Sequence, residues 1–246
     1  MLGVTADEPT ILATSGGTLA GRRTRWEFAP LIDFAVDLAG VDARAPKVCF
    51  LPTAIGDSAE VIRAFYEAAQ LRGFSASHLV LFPMPNVDDV GELLLDQDVI
   101  WVGGGSVAGL LAMWYLHGLD DTLRRAWQSG VVLTGVSAGS ICWHVGGTTD
   151  SFGPELRGVH NGLGFLPYSN GVHYDSEPAR RPTYHRLVGD GSLPDGYATE
   201  DGVGLLYRGE RFVEAVTEKP DKAAYWVSRS ADGTVSEDRL DTRSLT

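Results

Sequence analysis

An α/β fold built on a mostly parallel sheet is predicted by the order of segments along this chain. Up to about residue 145, short apolar runs alternate with longer amphipathic runs, and several of the short runs end in glycine-rich turns. Strands separated by helices imply right-handed crossovers, which make neighbouring strands parallel. With 246 residues, 44% of them hydrophobic and 21% charged, the chain suits one globular domain with a large core.

The first half of the chain is predicted to supply five strands and five helices. The first strand ends at Ser15-Gly16-Gly17 and the fourth at Gly103-Gly104-Gly105. Ser58 is a suitable N-cap for the second helix, whose polar residues share one face. The predicted strands cover residues 10–14, 47–52, 78–82, 99–102 and 131–134, and the predicted helices cover 31–38, 58–71, 87–95, 107–116 and 120–128.

The second half of the chain has a different character. Residues 147–195 are rich in Gly, Pro, Asn and Asp, which predicts loops. Residues 203–240 predict two antiparallel hairpins, with turns at Arg208-Gly209-Glu210 and Ala231-Asp232-Gly233. Because no linker, repeat or low-complexity tract intervenes, we expect residues 1–246 to form a single domain with C-terminal β-hairpins.

Composition excludes several classes of function. A net charge of −12 and a pI near 4.8 argue against binding nucleic acid or anionic membranes through general electrostatics. The beginning of the chain lacks a signal-peptide pattern, and no apolar run approaches the ~20 residues of a membrane helix. Cys49 and Cys142 lie in apolar contexts and are predicted to be buried free thiols. These features predict a cytoplasmic protein.

The segment Gly135-Val136-Ser137-Ala138-Gly139 is the strongest functional signal. It follows a predicted strand and opens into a segment that can continue as a helix, which is the pattern of a nucleophile elbow. In such a turn the flanking residues must be small, and the serine Oγ points out above the sheet edge. The N–H of Ala138 would lie at a helix N-terminus, where it could stabilise an oxyanion. The alternative interpretation is an ordinary tight turn, because the chain contains 30 glycines.

A serine nucleophile needs a base, and His173 is the best candidate among the six histidines. It follows Asn170-Gly171-Val172, a segment that resembles a strand carrying an imidazole at its end. A purely structural histidine is the alternative. His144 is seven residues from Ser137 along the expected helix, too far for a hydrogen bond. Asp150 and Glu200 are both candidates for the carboxylate that orients the histidine, and the residues themselves leave this choice open.

The glycines at 103–105 are expected to supply a second oxyanion donor. They end a strand and precede a helix, so their N–H groups can face a ligand without interference from a Cβ. Residues 103–108 also fit a loose dinucleotide-binding pattern, G-x-G-x-x-A. That pattern requires an acid at the end of the next strand, whereas here the next strand runs into the serine turn. The pattern therefore favours an oxyanion hole over a nucleotide site.

Together, the triple glycine, the serine turn, Thr148-Thr149-Asp150 and the later His173 resemble the peptidase E family of serine dipeptidases, whose clan includes the cyanophycinases. The resemblance spans roughly residues 47–207. It implies a three-layer α/β/α sandwich, similar to class I glutamine amidotransferases and flavodoxins. It also implies removal of an N-terminal aspartate from short peptides without a metal or other cofactor. An amidotransferase activity is disfavoured because its nucleophile is a cysteine.

The resemblance also implies roles for individual residues. Ser137 would be the nucleophile and His173 the base, with the N–H groups of Gly105 and Ala138 forming the oxyanion hole. Asp150 corresponds to the orienting acid of the family, whereas Glu200 resembles the acid of the cyanophycinase-like branch, so the acid stays open.

Substrate recognition is expected to depend on arginine. Arg181 resembles the arginine that binds the substrate's acidic side chain in the family, and the adjacent Arg180 is a second candidate. Asp175 or Glu177 could bind the substrate ammonium. Two departures concern the neighbourhood of the site: the chain has Ser106 where the family usually has Asn, and Ser140 where Ala is frequent.

The sequence therefore predicts a serine exopeptidase that acts on short peptides with an N-terminal aspartate through an acyl-enzyme on Ser137. One alternative is a cyanophycinase-like hydrolase of β-aspartyl peptides, and another is a non-catalytic α/β binding protein. A small peptide is the expected partner, with no nucleic acid, membrane or metal, and a homodimer is left open.

Overall fold

The computed structural model of the protein describes residues 6–246. The strands in this range are β1 (Thr10–Thr14), β2 (Thr18–Ala20), β3 (Trp26–Phe28), β4 (Lys47–Leu51), β5 (Ser75–His78), β6 (Val99–Val102), β7 (Val132–Val136), β8 (His144–Thr149), β9 (Arg157–Val159), β10 (Leu166–Gly171), β11 (Gly196–Thr199), β12 (Val203–Arg208), β13 (Arg211–Thr217), β14 (Ala224–Arg229), β15 (Val235–Leu240) and β16 (Thr242–Ser244). The α-helices are α1 (Pro30–Asp37), α2 (Ala59–Arg72), α3 (Val90–Leu95), α4 (Val107–His117), α5 (Leu119–Gln128), α6 (Ala138–Ile141) and α7 (Arg180–Gly189).

The larger sheet has eight strands in the order β16-β13-β12-β1-β7-β6-β4-β5. Five of its seven strand pairings are parallel, and the two antiparallel ones both involve β12. Its central strands are almost wholly buried, which explains why they appear in the sequence as continuous apolar runs. The predicted α/β fold with a mostly parallel sheet is therefore confirmed.

Helices cover both faces of this sheet. Successive side chains of a strand point to opposite faces, so Ile11 and Ala13 of β1 belong to one core cluster and Leu12 to the other. The cluster that contains Ile11 also receives α4 and α5, whereas the cluster that contains Leu12 receives α1 and α2. The result is the expected sandwich of two helical layers around a sheet.

A second sheet was not predicted. Its six strands lie in the order β15-β14-β11-β10-β8-β9. The expectation of loops over residues 147–195 was therefore wrong for the end of β8, for β9 and β10, and for α7. The glycines that suggested loops are required by close backbone contacts. A Cβ at Gly146 would lie 2.0 Å from the carbonyl oxygen of Val159, and one at Gly147 would lie 2.1 Å from that of Asn170.

Other predictions differ from the structure in detail. Both C-terminal hairpins form, but β12 and β13 join the larger sheet while β14 and β15 join the smaller one. The strand predicted at 78–82 was misplaced: β5 covers Ser75–His78 and shares only His78 with it. The helix after the serine turn ends at Ile141, three residues before β8 begins. Cys49 and Cys142 are buried free thiols, as predicted. Within residues 6–246, every helix is too short or too polar to span a membrane.

Candidate active site

Ser137 lies at the turn between β7 and α6, in a strained backbone conformation with φ 57° and ψ −110°. The two flanking glycines are needed for steric reasons. A Cβ at Gly135 would lie 2.4 Å from the carbonyl oxygen of Gly139, and one at Gly139 would lie 2.3 Å from that of Val102. The turn is thus packed directly against β6, and a side chain at either glycine would displace it. This geometry is the one expected of a nucleophile elbow.

Two backbone amides lie beside this turn. Ala138 is the first residue of α6, so its N–H has no acceptor within the helix. The glycine loop after β6 lies alongside, since a Cβ on Gly104 would be 3.4 Å from the Cβ of Ser137. Gly105 has φ 132°, and a Cβ there would meet the carbonyl oxygen of Ala54 at 2.4 Å, so this position accepts only glycine. Both predicted oxyanion donors therefore border the serine turn.

The C-terminal end of β1 brings the other predicted residues to the same place. The N–H of Ser137 donates to the carbonyl oxygen of Thr14 at 3.1 Å. The N–H of His173 donates to Oγ of the next residue, Ser15, at 3.3 Å, and the N–H of Gly202 donates to the Ser15 carbonyl oxygen at 2.8 Å. The sequence analysis treated Ser15 only as the end of a strand. Its position shows that β1 holds three distant segments together.

His173 follows β10 and has a left-handed backbone with φ 54°. Its Nδ1 lies 2.7 Å from Oδ1 of Asp201, and both side chains are partly buried. Because a carboxylate accepts hydrogen bonds, this contact favours the tautomer with the proton on Nδ1, leaving Nε2 free to act as a base. The carboxylate partner of His173 is therefore Asp201, a residue that the sequence analysis did not name.

The two acids predicted for that role are engaged elsewhere, which corrects the prediction. Glu200 accepts hydrogen bonds from the N–H of Ala223 at 3.0 Å and from the hydroxyl of Tyr225 at 2.8 Å. Asp150 has a side chain that is 62% exposed and lies 3.9 Å from Nη2 of Arg180. Glu200 and Asp201 are consecutive residues just after β11, so a shift of one position decides which carboxylate faces the histidine.

An open depression of about 310 Å³ lies in front of Ser137. Arg180 forms part of its wall, and this side chain is only 3% exposed. Its Nε donates to Oε2 of Glu177 and its Nη1 donates to the carbonyl oxygen of Thr148, both at 2.7 Å, so the guanidinium is fixed in place. The depression is lined by Gly105, Ser106, Ser137, Asp150, Ser151, Glu177 and Arg180.

Arg181 does not line this depression. Its guanidinium forms an ion pair with Glu237 of β15 and lies over the rings of Tyr174 and Tyr225, at 5.2 and 4.8 Å from their centroids. Adjacent residues of a helix point about 100° apart, so only one of the two arginines can face the serine. The structure puts Arg180, not Arg181, at the candidate site.

Two polar residues near the turn have structural roles. The hydroxyl of Ser140 donates to Oδ1 of Asn170 at 2.9 Å. His144 is fully buried, with Nδ1 2.9 Å from the carbonyl oxygen of Ser140, and burial lowers its pKa to about 4. His144 is therefore a neutral core residue. No cluster of three or more His, Cys, Asp or Glu side chains suited to a metal occurs in the described part of the chain.

The chain is similar to known peptidases. The model of peptidase family S51 matches residues 11–215. The uncharacterized peptidase YgaJ of Bacillus subtilis (strain 168) is 46% identical over 182 residues, covering 74% of this chain and 78% of that protein. A peptidase E of Actinobacillus pleuropneumoniae is 28% identical over 185 residues, covering 69% of this chain and 75% of its own.

Solved structures share the fold. A peptidase from an acI-B1 actinobacterium superposes with a TM-score of 0.68 at 16% identity, covering 96% of this chain and 95% of its own. A Listeria monocytogenes EGD-e protein provisionally named peptidase E superposes with a TM-score of 0.60 at 18% identity. The match covers 85% of this chain and 98% of that protein. Since the family match spans most of the chain, the resemblance to peptidase E is confirmed: the protein belongs to peptidase family S51 and is a peptidase.

Proposed function

We propose that this peptidase is a serine exopeptidase that removes an N-terminal aspartate from short peptides through an acyl-enzyme on Ser137. The observation that carries the proposal is the strained turn at Ser137, which borders the amides of Gly105 and Ala138. The end of β1 ties the same turn to the segment that carries His173, whose imidazole contacts Asp201. These are the parts needed for acyl transfer to a serine.

In the proposed reaction, Nε2 of His173 accepts the proton of the Ser137 hydroxyl while Oγ attacks the carbonyl carbon of the N-terminal residue. The carbonyl oxygen becomes an oxyanion that accepts hydrogen bonds from Gly105 and Ala138. The imidazolium, stabilised by Asp201, then gives its proton to the leaving amine as the peptide C–N bond breaks. Water hydrolyses the ester by the same proton transfers in reverse order and releases the amino acid.

The charged groups that line the depression support a preference for an N-terminal aspartate, which carries a positive α-ammonium and a negative side-chain carboxylate. Arg180 is fixed by its neighbours, and its Nη2 is the nitrogen nearest the exposed Asp150. We assign Arg180 to the substrate's side-chain carboxylate. Asp150 and Glu177, whose side chains are 62% and 44% exposed, would face the α-ammonium. Asp175, the other sequence candidate for the ammonium, is already paired with Lys222 and the amide of Asp201.

Hydrolysis of a panel of dipeptides with N-terminal Asp, Glu, Asn or Ala tests this proposal. Ser137→Ala should lower kcat by about 10⁴-fold, because removing a triad member has that effect. Arg180→Met should raise KM for the aspartyl peptide most. Arg181→Met is the matched control, since that side chain lies outside the depression.

N-acetylation of the aspartyl peptide should abolish cleavage, because the ammonium is lost. Full activity of the Ser137→Ala enzyme would refute the mechanism. Loss of the aspartate preference in Arg181→Met but not in Arg180→Met would refute the assignment of the pocket.

A further inference from the structure

An ion pair lies behind the contact between His173 and Asp201, outside the depression in front of Ser137. It joins Asp175, two residues after His173, to Lys222 in the turn between β13 and β14. We propose that Asp175 and Lys222 are positioning residues for the proposed reaction: Asp175 fixes Asp201 against the imidazole, and Lys222 balances the negative charge gathered there. This inference rests on the proposed function.

The first support is geometric. Asp201 lies in the short connection between β11 and β12, where no ladder of strand hydrogen bonds holds its backbone. Its N–H donates to Oδ1 of Asp175 at 2.9 Å, while Oδ2 of Asp175 contacts Nζ of Lys222. The N–H of Tyr174 donates to the carbonyl oxygen of Thr199 at 3.1 Å in the same place. One carboxylate therefore links the histidine loop to the aspartate loop, and its own orientation is fixed by the lysine.

The second support is the balance of charge. The groups that face Asp201 are His173, Asp175 and Lys222, with Glu200 as its neighbour in the chain. Glu218 and Lys219 adjoin the following residue, Gly202, from the end of β13. The carboxylates of Asp175, Glu200 and Asp201 all act on the ammonium of Lys222.

These contacts alter the ionisation of both partners. The hydrogen bond from Lys222 to Asp175, together with the fields of Asp175, Glu200 and Asp201, raises the pKa of Lys222. Burial opposes ionisation of Asp175, but the hydrogen bonds from Lys222 and from the Asp201 amide outweigh it and lower the pKa of that carboxyl. Both members of the pair are therefore charged at neutral pH, and the positive charge of Lys222 offsets the negative charges of Asp175, Glu200 and Asp201.

This arrangement predicts opposite effects for the two partners. Lys222→Met removes a positive charge near His173, so protonation of the imidazole becomes easier and its titration midpoint moves to higher pH. Asp175→Asn removes a negative charge but keeps an oxygen that can accept the Asp201 N–H, so the midpoint moves to lower pH. Removing one charged group from the surroundings of a partly buried imidazole typically changes its titration by a few tenths of a unit to about one unit. The double variant should return close to the wild-type value.

The experiment is an NMR titration of the His173 imidazole in the full-length protein, with its signal assigned by its loss in His173→Gln. It is combined with the pH profile of kcat/KM for the aspartyl peptide, whose acid limb should shift in the same directions. Lys47→Met is the matched control, because Lys47 forms a solvent-exposed ion pair with Asp96 and is distant from His173 in the sequence. This variant should leave the imidazole titration and the pH profile unchanged. Asp175→Ala, which also removes the acceptor, should lower kcat about 10-fold with little change in KM.

The outcomes separate this inference from the proposed function. Opposite shifts in Lys222→Met and Asp175→Asn support it, while shifts in the same direction, or none beyond that of Lys47→Met, overturn it. If Ser137→Ala kept full activity, the proposed function would fail, yet the imidazole titration would still test the ion pair. Thermal unfolding of each variant shows that it is folded when measured.

Discussion

At the scale of single residues, the backbone of Ser137 depends on the glycines that surround it. Ser137 has a left-handed φ of 57°, and the carbonyl oxygen of Val102 lies 2.3 Å from where a Cβ of Gly139 would be. The close contact between α6 and β6 therefore excludes a side chain at Gly139.

Gly139→Ala should destabilise the protein by about 3 kcal/mol or more, because the new methyl group would overlap the carbonyl oxygen of Val102. Gly118→Ala is the control. Gly118 has a left-handed φ of 66°, unlike Gly139, and open space around it, so Gly118→Ala should lower the free energy of unfolding by only about 1 kcal/mol. Urea unfolding of both variants measures the difference. Equal losses would contradict a packing requirement for glycine at position 139.

At the scale of elements, a single carboxylate of the smaller sheet accepts hydrogen bonds from two side chains of α7. Glu237 of β15 accepts hydrogen bonds from Arg181 and His185 of α7, and from the hydroxyl of Tyr174. The side chain of Glu237 is only 14% exposed. Glu237 thus holds the face of α7 that carries Arg181 and His185, whereas Arg180 is fixed separately by Glu177 and Thr148.

Glu237→Gln should lower the free energy of unfolding by about 1–2 kcal/mol at pH 7. Burial opposes ionisation of Glu237, yet hydrogen bonds from Arg181, His185 and Tyr174 outweigh it and lower its pKa. The stabilisation by Glu237 is therefore complete above pH 4.5, the usual pKa of a glutamate, and is lost as the pH falls through the lower pKa of the folded state. The difference in free energy of unfolding between Glu237→Gln and the wild type should shrink as the pH falls below 4.5.

Glu214→Gln serves as the control for that measurement. Glu214 pairs with the half-exposed Arg243, so its loss should cost less than about 1 kcal/mol. If the two variants lost equal stability, Glu237 would form an ordinary surface ion pair and would not hold α7.

At the scale of the whole molecule, the two sheets meet at His144. This residue begins β8 of the smaller sheet, and its Nε2 lies 3.4 Å from the hydroxyl of Tyr207 in β12 of the larger sheet. Both side chains are fully buried. Burial lowers the pKa of His144 to about 4, so the junction between the sheets contains a neutral imidazole that resists protonation.

The stability of the molecule should therefore fall in mild acid. The pKa of His144 is 6.5 in the unfolded chain and about 4 in the folded one, so between these pH values only the unfolded chain binds a proton at His144. This group alone should lower the free energy of unfolding by about 3 kcal/mol between pH 6.5 and pH 4. Urea unfolding from pH 7 to pH 4 checks it: His144→Gln should flatten the slope, whereas a change at the exposed His117 should not. An unchanged slope in His144→Gln would contradict this account.

The amino-acid sequence was sufficient to predict the buried strands β1, β4, β6 and β7 of the larger sheet and the serine turn, because both have local sequence patterns. Buried parallel strands appear as continuous apolar runs, and a turn that excludes side chains appears as paired glycines. The smaller sheet was missed for the opposite reason: Gly146 and Gly147 suggest loops, but they are required where β8 passes close to β9 and β10.

The tertiary structure was needed to identify the carboxylate that contacts His173 and the arginine that lines the depression. Asp201 rather than Glu200 faces His173, and Arg180 rather than Arg181 faces the depression, in each case by a difference of one residue. Sequence composition and spacing do not distinguish the two residues of either pair. The contacts of the other member do: the side chain of Glu200 bonds to Tyr225, and that of Arg181 pairs with Glu237. The contact at Ser15 likewise joins segments far apart in the chain, so no local pattern could reveal it.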